Sequence, residues 1–479
     1  MIRGSHLSIA LALVLAGCAV NPATGRREFM LVSDNQEIQM GREADPQITA
    51  SYGLVDDAEL QEYVSDIGLR IAEISERPEL PWSFKVVDDP IVNAFALPGG
   101  FIYVTRGILA HFNTEAELAG VLGHEVGHVT ARHGASQMSR QQLQQGLLVG
   151  GMVFSERVRE YGGLLMGGLQ ILNLSYSRGD ESESDLLGLR YIDRLGYDAD
   201  AMVGVFQMLA VAGGGGEGQR LPEWQLTHPY PENRESDIRA QIAETGASRD
   251  GVVGRDRYLE MIDGIVWGPD PRQGYFEGPL FLHPDLAFEL TFPEGWQTVN
   301  QRSMVAGVAP SEDAVLMLTV VSDGVGAAQE LRDFLRGEGI TAGASGSSNR
   351  GGIEVSRSEF TATTEDGTLA GEVAFINYGG VTYRLLGYTS TAQWGTYARA
   401  IDATISSFDS VTDRSVLEVQ PMRLSIRTLS EATSLNTFVR SNPQPLDIEE
   451  LARLNRVNPA EVIPSGTRIK LIEGTPVGR

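Results

Sequence analysis

Residues 114–133 read TEAELAGVLGHEVGHVTARH, and this stretch sets the reading of the chain. Thr114, followed three residues later by Glu117, is a capping box and predicts a helix that starts there. Leu118, Leu122, Val126 and Val129 recur at three- and four-residue spacing and give that helix an apolar face. His124 and His128 are four residues apart, so their imidazoles leave the same side. Two imidazoles at that spacing can hold one Zn²⁺. Glu125, one residue beyond the first histidine, falls beside a metal-bound water rather than on the metal. Zinc makes such a water ionise near neutral pH; Glu125 can then act as general base, taking its proton and returning one to a leaving amine. Gly123 and Gly127 flank the pair and permit close packing. A helix with two solvated histidines would carry the same letters, so a third ligand is the discriminating feature.

A second segment, residues 177–188, reads SRGDESESDLLG and continues as a helical pattern to Leu195, with Gly196 as its stop. Glu181 and Asp185 are four apart and share a face. Glu181 completes a two-histidine, one-glutamate set that leaves one position open for water or substrate. Asp185 can accept a hydrogen bond from the other ring nitrogen of a ligand histidine and so fix its tautomer. Glu183 is the rival ligand; Glu181 is preferred because only it has an aspartate four residues on. His133 lies five residues past the motif and, on a continuing helix, is rotated off the ligand face. It is expected to be structural or solvent-facing, as are His111 and His283.

The 479-residue chain has room for about three domains. Its 42% hydrophobic and 21% charged residues argue against a disordered or fibrous chain. Lys and Arg number 38 against 63 Asp and Glu, a formal charge of -25. That field repels phosphate backbones, and no basic patch offsets it, so nucleic acid is not an expected partner. The single cysteine, Cys18, excludes an internal disulfide and a cysteine-rich metal cluster. Arg3 and the apolar run at 7–16 (LSIALALVLA) have the form of a signal peptide and are too short for a spanning helix. The run ends Leu15-Ala16-Gly17-Cys18, which resembles a bacterial lipoprotein box. The resemblance implies lipidation at Cys18, and Ala19 after it implies the outer membrane. The expectation is a periplasmic protein anchored by lipid. The apolar stretch 143–174 is interrupted by Glu156, Arg157, Arg159 and Glu160 before about 18 apolar residues accumulate, so it does not read as a span.

After the signal (1–18), residues 19–33 read as an extended tether. Residues 34–265 form a largely helical domain, with helices expected at 35–44 and 57–74. In the second, Leu60, Val64, Ile67 and Ile71 share a face. A strand is expected at 82–87, and two more at 94–105 about a Pro-Gly-Gly turn. The four glycines at 213–216 read as a loop, and 266–280, with its Pro and Gly, as a linker. Residues 281–412 read as a small α+β domain, with strands at 287–292, 314–321, 371–377 and 381–389 and helices at 327–336 and 392–408. No chemical motif marks that region. In the last unit, 413–479, residues 448–472 (IEELARLNRVNPAEVIPSGTRIKLI) resemble the second half of a LysM module, which implies peptidoglycan contact. The Gly-Asp usual before the first helix of such a module is absent.

HEVGH followed by SRGDESESD resembles the gluzincin metalloproteases of the CAAX prenyl protease, HtpX and BepA group. Their second motif is Ser-Arg, a ligand Glu, then Ala-Asp; here Ser184 stands where Ala is usual. Residues 93–109 (NAFALPGGFIYVTRGIL) resemble the group's edge strand, which implies substrate contact at Asn93, Ala94, Phe95 and Ala96. Residues 227–234 (THPYPENR) resemble its His-Pro…Arg motif, which implies that His228 and Arg234 approach the metal. His228 would then stabilise an oxyanion, or bind zinc as a fourth ligand and hold the enzyme latent. The resemblance covers about residues 20–265. It implies an α+β chain whose mainly helical, zincin-like catalytic domain carries a small edge sheet and one zinc. An edge strand reads peptide backbone, so unfolded chains are the implied substrates. The periplasmic BepA branch matches best, since the other branches carry transmembrane helices. Its helical repeats are replaced here by the α+β and LysM-like units. The expectation is an outer-membrane-anchored zinc endopeptidase acting on misassembled or unfolded envelope proteins. The alternatives are a latent protease working as a chaperone or assembly factor, and a peptidoglycan-binding protein.

Overall fold

The computed structural model describes residues 18–148, 176–212, 228, 233–322, 326–364 and 367–477. They fall into two units: the residues up to Gly268 with Arg423–Glu473, and Pro269–Met422 with the residues from Gly474 on.

The first unit opens with an antiparallel ribbon, β1 (Cys18–Val20) and β2 (Arg27–Phe29). Buried Asn21 caps its turn, accepting from the Ala23 N–H. Met30 and Val32 are buried with Ala135, and Leu31 N–H donates to Ser139 Oγ. Residues 19–33, read as a tether, are thus fixed to the body at Met30–Val32. Helix α1 (Asp34–Tyr52) starts at the Ser33 capping box and continues through Pro46, beyond the expected end at 44. Helix α2 (Ala58–Glu73) buries Leu60, Val64, Ile67 and Ile71, the face its spacing predicts, and packs on β3 (Ser83–Val87). Strand β4 (Ala94–Leu97) pairs antiparallel with β5 (Phe101–Thr105), and β5 pairs parallel with β3. The order β3-β5-β4 leaves β4 at the end of the sheet. Their turn requires Gly99, at φ +87°, where a Cβ would lie 2.7 Å from the Glu37 carbonyl oxygen.

Helix α3 (Arg106–His111) leads to α4 (Glu115–Thr130), which Thr114 caps by accepting from the Glu117 N–H. Then come α5 (His133–Leu148), α6 (Arg178–Arg194), α7 (Asp200–Ala212), α8 (Arg234–Thr245) and α9 (Arg255–Met261). Helix α4 packs against α2, α6, α7 and β4. Every residue from Ala116 to Thr130 is buried, not one apolar face alone. Its glycines explain why. A Cβ at Gly127 would meet the Ser184 backbone at 3.1 Å, and one at Gly188 of α6 would meet the His124 nitrogen at 2.9 Å. Only side chains this small let α4 and α6 approach so closely, which brings the acidic start of α6 to the two histidines. The 213–216 loop and residues 149–174 lie outside the described residues. No described helix is long and apolar enough to cross a membrane.

The second unit runs β6 (Tyr275–Glu277), β7 (Leu280–His283), β8 (Phe288–Thr291), β9 (Gln297–Gln301), β10 (Met304–Val308), β11 (Ala314–Ser322), α10 (Ala327–Leu335), β12 (Ile340–Arg350), β13 (Ile353–Thr364), β14 (Gly367–Tyr378), β15 (Val381–Ser390), α11 (Trp394–Ser406) and β16 (Asp409–Ser410). Strand β6 lies within the stretch read as linker and pairs with β7. A seven-stranded antiparallel sheet has the order β12-β13-β14-β15-β11-β10-β9. Alternate residues of β14 serve its two faces. Ala374 and Ile376 pack with Ile401 and Ile405 of α11, and Val373 and Phe375 with Ala327 and Leu331 of α10.

The chain then returns to the first unit as β17 (Arg423–Thr428), β18 (Thr433–Ser434), α12 (Leu435–Ser441), α13 (Ile448–Asn455), β19 (Val462–Ile463) and β20 (Arg468–Glu473). Strand β17 pairs with β20, and β18 with β19. Leu424 exchanges backbone hydrogen bonds with Gly264 and Ile265. Buried Lys470 donates to the carbonyls of Ala110, at 2.8 Å, and Phe112, capping the end of α3. Arg456 pairs with Glu117 in the first turn of α4.

Candidate metal centre

Helix α4 supplies His124, Glu125 and His128, and α6 supplies Glu181. His228 comes from the segment before α8. His124, His128, Glu181 and His228 are all buried, and each offers a donor atom within 4.8 Å of the others. His124 Nε2 and His128 Nε2 are 3.0 Å apart. Glu181 Oε1 lies 3.3 Å from His128 Nε2 and 3.0 Å from His228 Nδ1, and Glu181 Oε2 lies 3.6 Å from His124 Nε2. Three imidazoles and a carboxylate converging on one point are the donor types zinc takes. Glu125 is completely buried, 3.6 Å from His228 Nε2, and neither of its carboxylate oxygens has a hydrogen-bond partner among the described residues. Orphaned oxygens of this kind suit a group that needs a polar partner beside the cluster. The residues therefore fit a zinc ion.

The supports are charged as well. Asp185 Oδ1 lies 2.8 Å from His124 Nδ1, so this nitrogen carries the proton and Nε2 presents its lone pair to the cluster. Arg234 grips Asp185 with two hydrogen bonds, of 2.9 and 2.6 Å, and places Nη1 3.1 Å from Glu181 Oε2. Its guanidinium also lies over the Phe206 ring, 4.7 Å from the centroid. Burial alone would push Asp185 up, but Arg234 and His124 outweigh it and hold the carboxyl below its ordinary value. Glu181 follows the same logic: burial raises it, and His228 and His128 overcome this and keep it well below. Burial pushes Glu125 up, against the pull of His228 and His124. Burial depresses His128. It would depress His228 too, but Glu181 and Glu125 raise that imidazole instead.

Strand β4 runs beside α4, and Ala96 and Leu97 line a small cleft with His128 and Tyr176. Asn93, Ala94 and Phe95 are buried and Ala96 half-buried. Thr105 engages both the backbone N–H and the C=O of Asn93. Ala94–Ala96 remain as the candidate pairing segment. Cys18 opens β1.

Three residues escape the motif reading. His133 takes the structural rather than the solvent-facing alternative: it is buried, and its Nδ1 lies 3.0 Å from His128 Nδ1. Glu183, the rejected rival ligand, lies 3.1 Å from the far nitrogen of His133. Tyr176 stacks on His128 with centroids 3.9 Å apart. For His133 the signal was present but hidden. Arg132 adopts φ +61°, so the helix ends and the next residue does not continue its rotation.

Residues 58–242 match peptidase family M48. The beta-barrel assembly-enhancing protease of Yersinia pestis is 32% identical over 254 residues, 50% of this chain and 52% of that protein. Its counterpart in Escherichia coli K12 is 30% identical over the same shares. The mitochondrial metalloendopeptidase OMA1 of Schizosaccharomyces pombe is 31% identical over 237 residues, 48% of this chain and 68% of that protein. The chain thus spans about half the length of the two bacterial relatives. With the buried histidine and glutamate cluster lying inside the matched region, the chain belongs to peptidase family M48.

Proposed function

We propose that this protein is a zinc endopeptidase of the periplasm, held to the outer membrane by lipid on Cys18, that cleaves misassembled or unfolded envelope proteins. The observation that carries the reading is Glu125, buried against four converging metal donors with no hydrogen bond to either carboxylate oxygen among the described residues. A zinc ion bound by His124, His128 and Glu181 would supply the Lewis acidity that makes a water acidic and polarises a peptide carbonyl. Glu125 takes the proton of the attacking water and carries it to the leaving amine. The upward push of burial on its carboxyl favours holding that proton between the two steps. His228 Nε2, on the Glu125 side of the cluster, donates toward the oxygen on which negative charge develops. Asp185 and Arg234 hold His124 and Glu181 in place. Ala94–Ala96 pair with the substrate backbone, so side-chain preference is loose. The names of the bacterial relatives support envelope β-barrel proteins as the substrate class, and the lipoprotein-like leader supports the location. Zinc analysis of the purified chain, followed by cleavage of an unfolded protein by parent and Glu125→Gln, tests the reading. One zinc per chain in both, and cleavage by the parent alone, is the expected result; a chain that binds no zinc refutes it.

A second reading is a latent protease that acts mainly as a chaperone or assembly factor. The position of His228 favours it, since Nδ1 lies 3.0 Å from Glu181 and within ligand range of the other donors. Zinc binding without cleavage by the parent, and cleavage by His228→Ala, would select this form. Within Arg423–Glu473 two helices lie between the outer strands β17 and β20, which pair with each other, and this supports a peptidoglycan contact that co-sedimentation of the full chain with purified peptidoglycan tests.

A further inference from the structure

A ligand histidine is useful to a metal only if its other ring nitrogen is held, because that bond sets the tautomer and the aim of the ring. Asp185 does this for His124. Among the described residues, no carboxylate reaches the Nδ1 of His128. Its Nδ1 faces His133 Nδ1 at 3.0 Å, with the rings crossed at 75°. His133 Nε2 lies in turn 3.1 Å from Glu183 Oε2 and 3.8 Å from Asp180 Oδ1.

With His133 neutral, one arrangement of protons satisfies this chain of contacts. Glu183 is a carboxylate and can only accept, so His133 Nε2 carries a proton and donates it. In the neutral imidazole this makes His133 Nδ1 an acceptor. His128 Nδ1 must then be the donor, and its Nε2 is left with a lone pair pointing at Glu181 and His124. That is the tautomer a metal ligand at this position needs. Ser184 Oγ, 3.3 Å from His133 Nδ1, also faces that acceptor. His133 is 2% exposed, so water does not substitute for either contact. The bend that makes the contact possible is Arg132 at φ +61°. Arg132 is itself held by Glu37, at 3.1 Å, and by the Val32 carbonyl.

We propose that His133 and Glu183 are positioning residues that lock His128 in its metal-binding tautomer and so set the zinc affinity of the centre. The proposal rests on the zinc reading above. The two ligand histidines then have unlike supports: a carboxylate directly on His124, and a carboxylate relayed through a second imidazole on His128.

Zinc dissociation constants measured by chelator competition on the full chain test this. His133→Ala should weaken zinc binding about 10- to 100-fold while still taking up one zinc at saturation. His133→Gln, whose side-chain carbonyl can accept from His128 Nδ1, should recover most of the loss. Glu183→Ala, at a partly exposed position that folding tolerates, should give a smaller loss in the same direction and provides the test if His133→Ala does not fold. Cobalt in place of zinc should show an altered ligand-field spectrum in His133→Ala and a near-parental one in His133→Gln. Unchanged affinity in His133→Ala and Glu183→Ala, or equal losses in His133→Ala and His133→Gln, would overturn the relay while leaving the metal centre standing. A parent that binds no zinc overturns the metal reading itself, and the relay with it.

Discussion

The two units bury different chemistry. In the first, the interior around α4 holds Glu125, Glu181, Asp185, His124, His128, His228 and Arg234, together with Lys470 beside α3. In the second, the principal core is Phe281, Phe288, Leu290, Phe292, Leu385, Ile401 and Phe408, and most ion pairs lie on the surface, such as Arg350 with Asp409. Buried charge is costly unless it is paired, and an apolar interior of the same volume is often more stable. The first unit thus carries a set of groups that stability alone does not call for, whereas the second is built as packing requires. This contrast sets the buried titratable cluster in the first unit apart from the apolar core of the second.

Arg234→Ala would break the contrast most severely. It strands Asp185 and Glu181 without their shared cation, and the first unit should lose about 3–5 kcal/mol, read as a lower urea midpoint for its unfolding. A loss under about 1 kcal/mol would mean that the buried network is not charged as described. A smaller effect sharpens the second unit's side. His283 sits between the Phe281 and Phe288 rings and accepts the Leu286 N–H at Nδ1, a bond only the neutral ring can make. Burial lowers it from 6.5 to about 4. Between those values the unfolded chain binds the extra proton, so stability is complete above about pH 6.5 and falls as the pH drops toward 4. On the order of 3 kcal/mol should be lost across that window, and His283→Asn should flatten the slope. At the bottom of the scale, Arg336→Ala removes an ion pair with Asp333 whose side chains are 72% and 51% exposed. Its unfolding midpoint should shift by less than about 0.5 kcal/mol.

Much of the centre was legible because local rules and tertiary packing agree there. Thr114 caps α4 as its letters indicate, and the four-residue offsets His124–His128 and Glu181–Asp185 survive because both helices are regular through them. The Asn93–Leu109 stretch shows its turn through Pro98, Gly99 and Gly100. Periodicity failed where the backbone broke it: His133 was projected along a helix that Arg132 ends. It also failed where no core marked the strand. Strand β12 (ITAGASGSSNR) is exposed along nearly its whole length, so no hydrophobic alternation announces it, and only pairing with β13 makes it a strand. The burial of Lys470 had no local sign either, because its partners are carbonyls more than 350 residues earlier in the chain.

That last contact has a consequence for biogenesis. The first unit is discontinuous in sequence: the strand bearing Lys470, and Arg456, the partner of Glu117 in the first turn of α4, arrive only after residues 269–422 of the second unit have been made. A chain that grows from its N-terminus carries His124, Glu125 and His128 through synthesis with the end of α3 uncapped and Glu117 without its arginine. The order of residues therefore acts as a timer, and the body around the metal helix is finished only once residues 423–473 have emerged.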